Sequence, residues 1–269
     1  MSKALKGIIK LKCKIVVLTG LHIGGSKENV EIGGIDNIVI KIPALKLDGK
    51  IEKDVPYIPG SSIKGKMRAL LEWVEKPVLD NDKPAFEVIA LAKWDNKDIG
   101  DKDIGEPCNC GKCKVCKLFG AHKNTKSKEP VRLRIEDFYP TKETIKMWRN
   151  FLGGDFVEVK VENTIDRVKG TAQHPRYQER VIPFSEFEGE IKIRVHKGDG
   201  KDLYDTVQKG IRLIEDDYLG GSGSRGYGKV KFKIKEILWT DCTKDKIEDV
   251  PINLQNPADL EKIFGVKSD

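Results

Sequence analysis

Polar and apolar residues alternate sharply near the start of the chain. Ile9, Leu11, Cys13, Ile15 and Val17 share one parity and Lys10, Lys12 and Lys14 the other, which predicts a strand with one buried and one solvated face. The same period returns at Val131, Leu133 and Ile135, at residues 156–161 (FVEVKV), and at Ile191, Ile193 and Val195. It returns once more at Val230, Phe232 and Ile234, which alternate with Lys229, Lys231, Lys233 and Lys235. Helical spacing appears twice. Ile63, Met67, Leu70, Leu71 and Val74 predict a helix over 61–76, entered through Pro59-Gly60 with a serine as N-cap. Leu203, Val207, Ile211, Ile214 and Tyr218 predict the second. Reduced to its strong elements, the order is strand, helix, strand, strand, helix, strand. That predicts an α+β fold with an antiparallel sheet, the ferredoxin-like arrangement also used by RNA-recognition modules.

At 269 residues the chain is long for that core. Three insertions account for the excess within a single domain, 1–269: a glycine-rich region at 20–59, a stretch at 77–130 broken by Pro, Asp, Lys and Gly, and a polar, basic excursion at 162–185. No apolar run approaches the roughly 18 residues of a membrane helix. The amino-terminal MSKALKGIIKLKCKI interleaves Lys with apolar residues, unlike a signal peptide, so a soluble, cytoplasmic protein without a membrane partner is expected. With 49 Lys+Arg against 42 Asp+Glu the net charge of +7 is modest and by itself names no partner.

Where the cations and glycines sit says more. Ser61, Ser62, Lys64, Lys66 and Arg68 crowd the start of the first helix with no acid among them, where free N–H groups and the helix dipole attract anions; a solvated basic face is the alternative. The run G-G-S-G-S-R-G-Y-G-K-V, Gly220 to Val230, lets backbone approach a phosphate, with Arg225 or Lys229 as donors, or serves as a flexible connection. It is no Walker loop, because it leads into a strand. Arg167, Lys169, Arg176 and Arg180 stud the 162–185 excursion, diluted by Glu162, Asp166 and Glu179. Cys108, Cys110, Cys113 and Cys116, followed by His122, offer five soft ligands where zinc takes four; reduced or redox thiols are the alternative. No HExxH, nucleophile elbow or paired-His motif occurs, and Asp36, beyond the glycines at 24–34, reads either as a turn residue or as a carboxylate for a metal or nucleophile.

The segments P-Y-I-P-G-S-S-I-K-G-K-M-R, E-N-T-I-D-R and G-G-S-G-S-R-G-Y-G-K-V, in this order, resemble the RAMP superfamily of CRISPR effector proteins. More narrowly they resemble the repeated backbone subunit of the type III-A, or Csm, interference complex, and L-H-I-G-G-S at 21–26 agrees. The resemblance spans nearly the whole chain. It implies copies stacked along a CRISPR guide RNA beside other Csm subunits, with a thumb hairpin at 162–185 intercalating into the guide–target duplex. It also implies a target-RNA endoribonuclease whose essential group matches Asp36, assisted by a divalent cation such as magnesium or manganese, with the RNA's own 2′-OH as nucleophile. His22, Ser61, Ser62, Lys64, Lys66, Arg68, Arg167, Gly221, Gly223, Ser224, Arg225 and Gly226 become the expected RNA-binding positions. Zinc occurs in some members of this family and not in others, so the zinc expectation, a structural site in the 77–130 lid, rests on cysteine spacing. A non-catalytic, structural RNA-binding subunit is the rival. A guide-processing endoribonuclease is the weaker third reading, because those enzymes usually carry a catalytic His and a duplicated domain, neither of which is evident.

Overall fold

The computed structural model describes residues 4–25, 37–47, 49–75, 107–121 and 129–265. Asp36, His122 and most of the 77–130 stretch lie outside the described residues. The alternation at Ile9–Val17 becomes β1 (Leu5–Val17), the middle strand of the main sheet, with Ile9, Leu11, Ile15 and Val17 fully buried. It pairs antiparallel with β8 (Glu186–His196) on one flank and β9 (Val230–Asp241) on the other. Beyond β8 come β4 (Leu133–Ile135) and β5 (Tyr139–Pro140); beyond β9 comes β10 (Asp249–Pro251).

Two helices, α1 (Gly60–Glu75) and α4 (Asp202–Asp216), supply Ile63, Met67, Leu71, Leu203, Val207, Ile211 and Ile214 to the core that β1 also enters. They approach closely at Gly210, where an added Cβ would lie 2.5 Å from Met67 Cγ. In chain order, β1, α1, β4, β8, α4 and β9 are the predicted strand-helix-strand-strand-helix-strand series, all strand pairs antiparallel.

Three local expectations change. First, α1 begins at Gly60, and its N–H donates to Asp137 Oδ1 at 2.8 Å, so the cap comes from a distant carboxylate and not from Ser61 or Ser62. Second, FVEVKV does not join the main sheet. It becomes part of β6 (Glu158–Ile165), which pairs with β7 (Ala172–Arg180) as a separate two-stranded hairpin. A period of two marks a strand but not the sheet it belongs to. The excursion is thus an ordered hairpin that starts at Glu158, earlier than 162. Third, elements appear where no pattern was read: the hairpin β2 (Lys41–Leu47) and β3 (Lys50–Pro56), α2 (Lys114–Phe119), α3 (Lys142–Leu152) and α5 (Pro257–Phe264). Helix α3 is capped by Thr141 and buries Trp148, whose indole N–H donates to Ser185 Oγ at 2.8 Å.

Candidate functional site

Three distant segments meet at one end of the sheet. After β1 the chain turns through Gly20 to Gly25; after α4 it runs through the glycine-rich loop; and the base of the β6–β7 hairpin lies against both. Backbone bonds lace the first two together: Gly221 N–H to the His22 carbonyl at 2.8 Å and Gly228 N–H to the Gly20 carbonyl at 3.0 Å. Glycine is required here. Gly220 and Gly228 have φ of 81° and 77°, and a Cβ would lie 2.3 Å from His22 O and 2.1 Å from Leu219 O respectively. The loop makes a short 3-10 turn at Gly223–Arg225, leaving Ser224, Arg225 and Gly226 exposed.

His22 is buried in this seam. Its Nδ1 lies 2.8 Å from the Glu179 carbonyl oxygen, which can only accept, so Nδ1 is the donor of that bond. Glu179 is a hub that sequence reasoning treated only as a diluting acid. Its carboxylate accepts from Val39 N–H and Lys41 Nζ, each at 3.0 Å, and its N–H donates to the Asn37 carbonyl at 2.9 Å. Asn37 also bridges Gln178, and Gly25 N–H donates to the Ile38 carbonyl. The two described ends of the segment containing Asp36 are therefore closed on each other and pinned to the hairpin base.

Glu162, on β6, ties the hairpin to the glycine loop. It accepts from Arg225 Nη1 at 2.7 Å and from the Tyr227 hydroxyl at 2.9 Å. Burial works against its charge, but the Tyr227 and Arg225 contacts, with Lys160, outweigh it and hold the carboxyl below its usual range. Tyr227 itself is pushed up to about 12, by burial first and then by Glu162. At the far end of the hairpin, Asp166 Oδ1 accepts from the Val168 and Lys169 N–H groups, forming a fixed turn. That turn presents Arg167 exposed and Val168 at 95% exposure.

The cations of α1 separate into three situations. Lys66 reaches toward the glycine loop, 2.6 Å from Asp217 and 3.6 Å above the Tyr218 ring, against which Gly223 packs. Lys64 is half-buried, and burial followed by Arg68 lowers its pKa. Arg68 faces the cysteine segment: Nε donates to Glu72 at 2.8 Å and Nη2 to the Cys108 carbonyl at 2.8 Å, while Glu72 accepts the Cys108 N–H. Ser61 is exposed and Ser62 half-buried in the first turn.

The four cysteine sulfurs lie within 4.8 Å of one another. Cys108–Cys113 and Cys110–Cys116 are 3.9 and 3.8 Å apart, close to the roughly 3.8 Å edge of a tetrahedron with about 2.3 Å metal–sulfur bonds. Cys113 N–H donates to Cys110 Sγ and Cys116 N–H to Cys113 Sγ, supplying dipoles that favour thiolates. Hydrogen bonding from Cys108, then Cys116, draws the Cys113 thiol well down, whereas the bond to Cys113 pushes Cys108 up. Four sulfurs at these separations, two of them receiving backbone N–H groups, fit a four-thiolate metal site.

No helix among the described residues is long and apolar enough to cross a membrane. A family model described as the RAMP superfamily matches residues 14–231. The chain is 38% identical over 275 residues to the CRISPR system Cms endoribonuclease Csm3 of Methanocaldococcus jannaschii, covering 97% of this chain and 96% of that one. It is 40% identical over 235 residues to the protein of the same name from Methanothermobacter thermautotrophicus, covering 82% and 81%. Among solved structures it is similar to a Csm3–Csm4 subcomplex of the type III-A CRISPR-Cas interference complex, with a TM-score of 0.51, 29% identity, and 98% and 100% coverage. The Methanopyrus kandleri Csm3 crystal structure matches with a TM-score of 0.51 and 25% identity over 89% of this chain and 79% of that one.

Proposed function

The chain belongs to the RAMP superfamily, and from that membership we propose that it is the backbone subunit of a type III-A CRISPR effector that cleaves target RNA. The observation that carries this reading is the convergence of the His22 segment, the glycine-rich loop and the hairpin base on the closed ends of the segment containing Asp36. Relatives named as endoribonucleases, similar over 97% and 82% of this chain, favour it over a purely structural RNA-binding subunit.

In this reading guide RNA lies along the exposed glycine loop and the first turn of α1, with Arg225 and Lys64 facing phosphates. His22 Nε2 is the ring nitrogen left to meet the RNA, because Nδ1 is committed to the Glu179 carbonyl. The hairpin is the thumb, and Val168, with Arg167 beside it, is its apolar wedge between base pairs. Further copies of the chain continue along the guide, and other Csm subunits complete the complex, in the cytoplasm.

Cleavage needs no protein nucleophile. The 2′-oxygen attacks the adjacent phosphorus as the bond to the 5′-oxygen breaks, leaving a 2′,3′-cyclic phosphate and a 5′-hydroxyl. The 2′-OH loses a proton and the departing oxygen gains one. Asp36 is the catalytic carboxylate, as the proton acceptor or as a ligand of the divalent ion. That ion, magnesium or manganese, would neutralise charge on the phosphate in flight. The four cysteines hold a separate, structural zinc.

Cleavage mapping of a complementary RNA by the assembled, guide-loaded complex tests this. Cuts at a regular interval, each leaving a cyclic phosphate, are expected; intact target RNA under divalent-ion conditions would favour the structural subunit instead.

A further inference from the structure

The β2–β3 hairpin is joined directly to the segment containing Asp36. Lys41, the first residue of β2, follows Asp36 by five positions, at most about 18 Å of extended chain. The base of the hairpin is held firmly. Lys41 is paired with Pro56 across the ladder and with the Glu179 carboxylate, and Val55 is fully buried. From Pro56 the chain passes straight into α1 at Gly60. In chain order the hairpin therefore stands between the catalytic segment and the guide-binding helix start of the reading above.

The two faces of its outer half differ. Leu45 lies opposite Glu52 and Leu47 opposite Lys50. Leu45 and Leu47 pack against the core and Glu52 pairs with Arg149 of α3, so that face is anchored. On the other face Lys46 lies opposite Ile51 and Ala44 opposite Lys53. All four are exposed, Ile51 at 66%. Lys46 and Lys53 make no ion pair among the described residues. On the main sheet, by contrast, Lys10, Lys12, Lys14 and Lys235 each meet a carboxylate.

Diagonal neighbours such as Lys46 and Lys53 sit about 7–8 Å apart on a ladder of this kind, close to the interval between successive phosphates of an RNA strand. Two ammonium groups around an exposed isoleucine match two phosphates with a sugar between them. The face carries no amide, hydroxyl or guanidinium, so it grips backbone without reading bases. That suits a strand whose sequence is selected by pairing with a guide.

We propose that this face, Lys46, Ile51 and Lys53, holds the target strand by its phosphates beside the segment that cuts it. The proposal rests on the RNA-cleavage reading above and adds a contact to it. The occupant is the target and not the guide, because the hairpin continues the segment that acts on the target, whereas the glycine loop and α1 take the guide.

The assembled, guide-loaded complex tests it, with a photoreactive benzophenone side chain in place of Ile51 and the two RNA strands labelled separately. Crosslinks to the target strand are expected; crosslinks to the guide alone, or to no RNA, overturn the assignment. In a second arm, Lys46→Ala with Lys53→Ala retains guide as the wild type does and binds a short complementary RNA more weakly. Its log–log salt dependence flattens by about 1.4, two single-strand contacts at roughly 0.7 each. Lys46→Arg with Lys53→Arg restores slope and affinity. An alanine variant that sheds its guide, or that matches the wild type in slope and affinity, overturns the target contact and leaves the functional reading standing. A wild-type complex that keeps its guide but neither binds nor cuts complementary RNA overturns both.

Discussion

Glu162 holds Arg225 and the Tyr227 hydroxyl at once, so its ionisation fixes the hairpin base to the glycine-rich loop. Its folded-state pKa is depressed, so its contribution is present above the ordinary carboxylate range and is lost in acid, as pH falls through the lowered value. Amide hydrogen exchange over residues 223–227 should therefore quicken through that acid window in the wild type. In Glu162→Gln it should be faster at neutral pH and lack the acid step; superimposable pH profiles would show that the carboxylate does not anchor the joint. Glu179 makes the same point about legibility. Its partners His22 and Lys41 lie 157 and 138 positions away, so no local pattern distinguishes this buried hub from a solvated acid. The glycines, by contrast, were legible, because the left-handed φ at Gly220 and Gly228 restricts the residue type locally.

Helix α1 works at both ends. Its amino-terminal half faces the glycine loop through Lys66, and its carboxy-terminal half clamps the cysteine segment through Arg68 and Glu72. Arg68 reads in sequence as one more phosphate cation; its guanidinium also donates to Glu72 and the Cys108 carbonyl, which ties the helix to the cysteine segment. Protein prepared without chelator should contain about one zinc per chain. Its removal should expose Leu118 and Phe119, now buried, and open residues 107–121 to trypsin at Lys112, Lys114 and Lys117. Absence of zinc, or an unchanged digest after its removal, would contradict the structural role. Cysteine spacing and the apolar face of α1 announced these elements. The β2–β3 hairpin and α3 went unread, the former because both strands are largely exposed and carry no clean alternation.

At the scale of the whole molecule, the ferredoxin-like strand order was legible, but the RNA face it implies was not. RNA-recognition modules stack bases on aromatic side chains of the open sheet. Here that face is a lattice of ion pairs across strands: Lys10–Asp249, Lys12–Glu236, Lys14–Glu186 and Lys235–Glu188. None of these positions is aromatic, and their charges cancel, which supports the proposal that RNA is recognised at the end of the sheet where the loops converge. The net charge of only +7 is therefore a poor guide to RNA binding, because on this face of the described residues cations are paired in place and where the others sit matters more. Catalysis is proposed to sit at that end of the molecule, on the carboxylate of the segment whose ends close there. Its most direct test is cleavage of a complementary RNA by the guide-loaded complex built with Asp36→Ala. The predicted result is target binding close to that of the wild type, with the regularly spaced cuts reduced by orders of magnitude. Cutting at unchanged positions and rate would contradict the account.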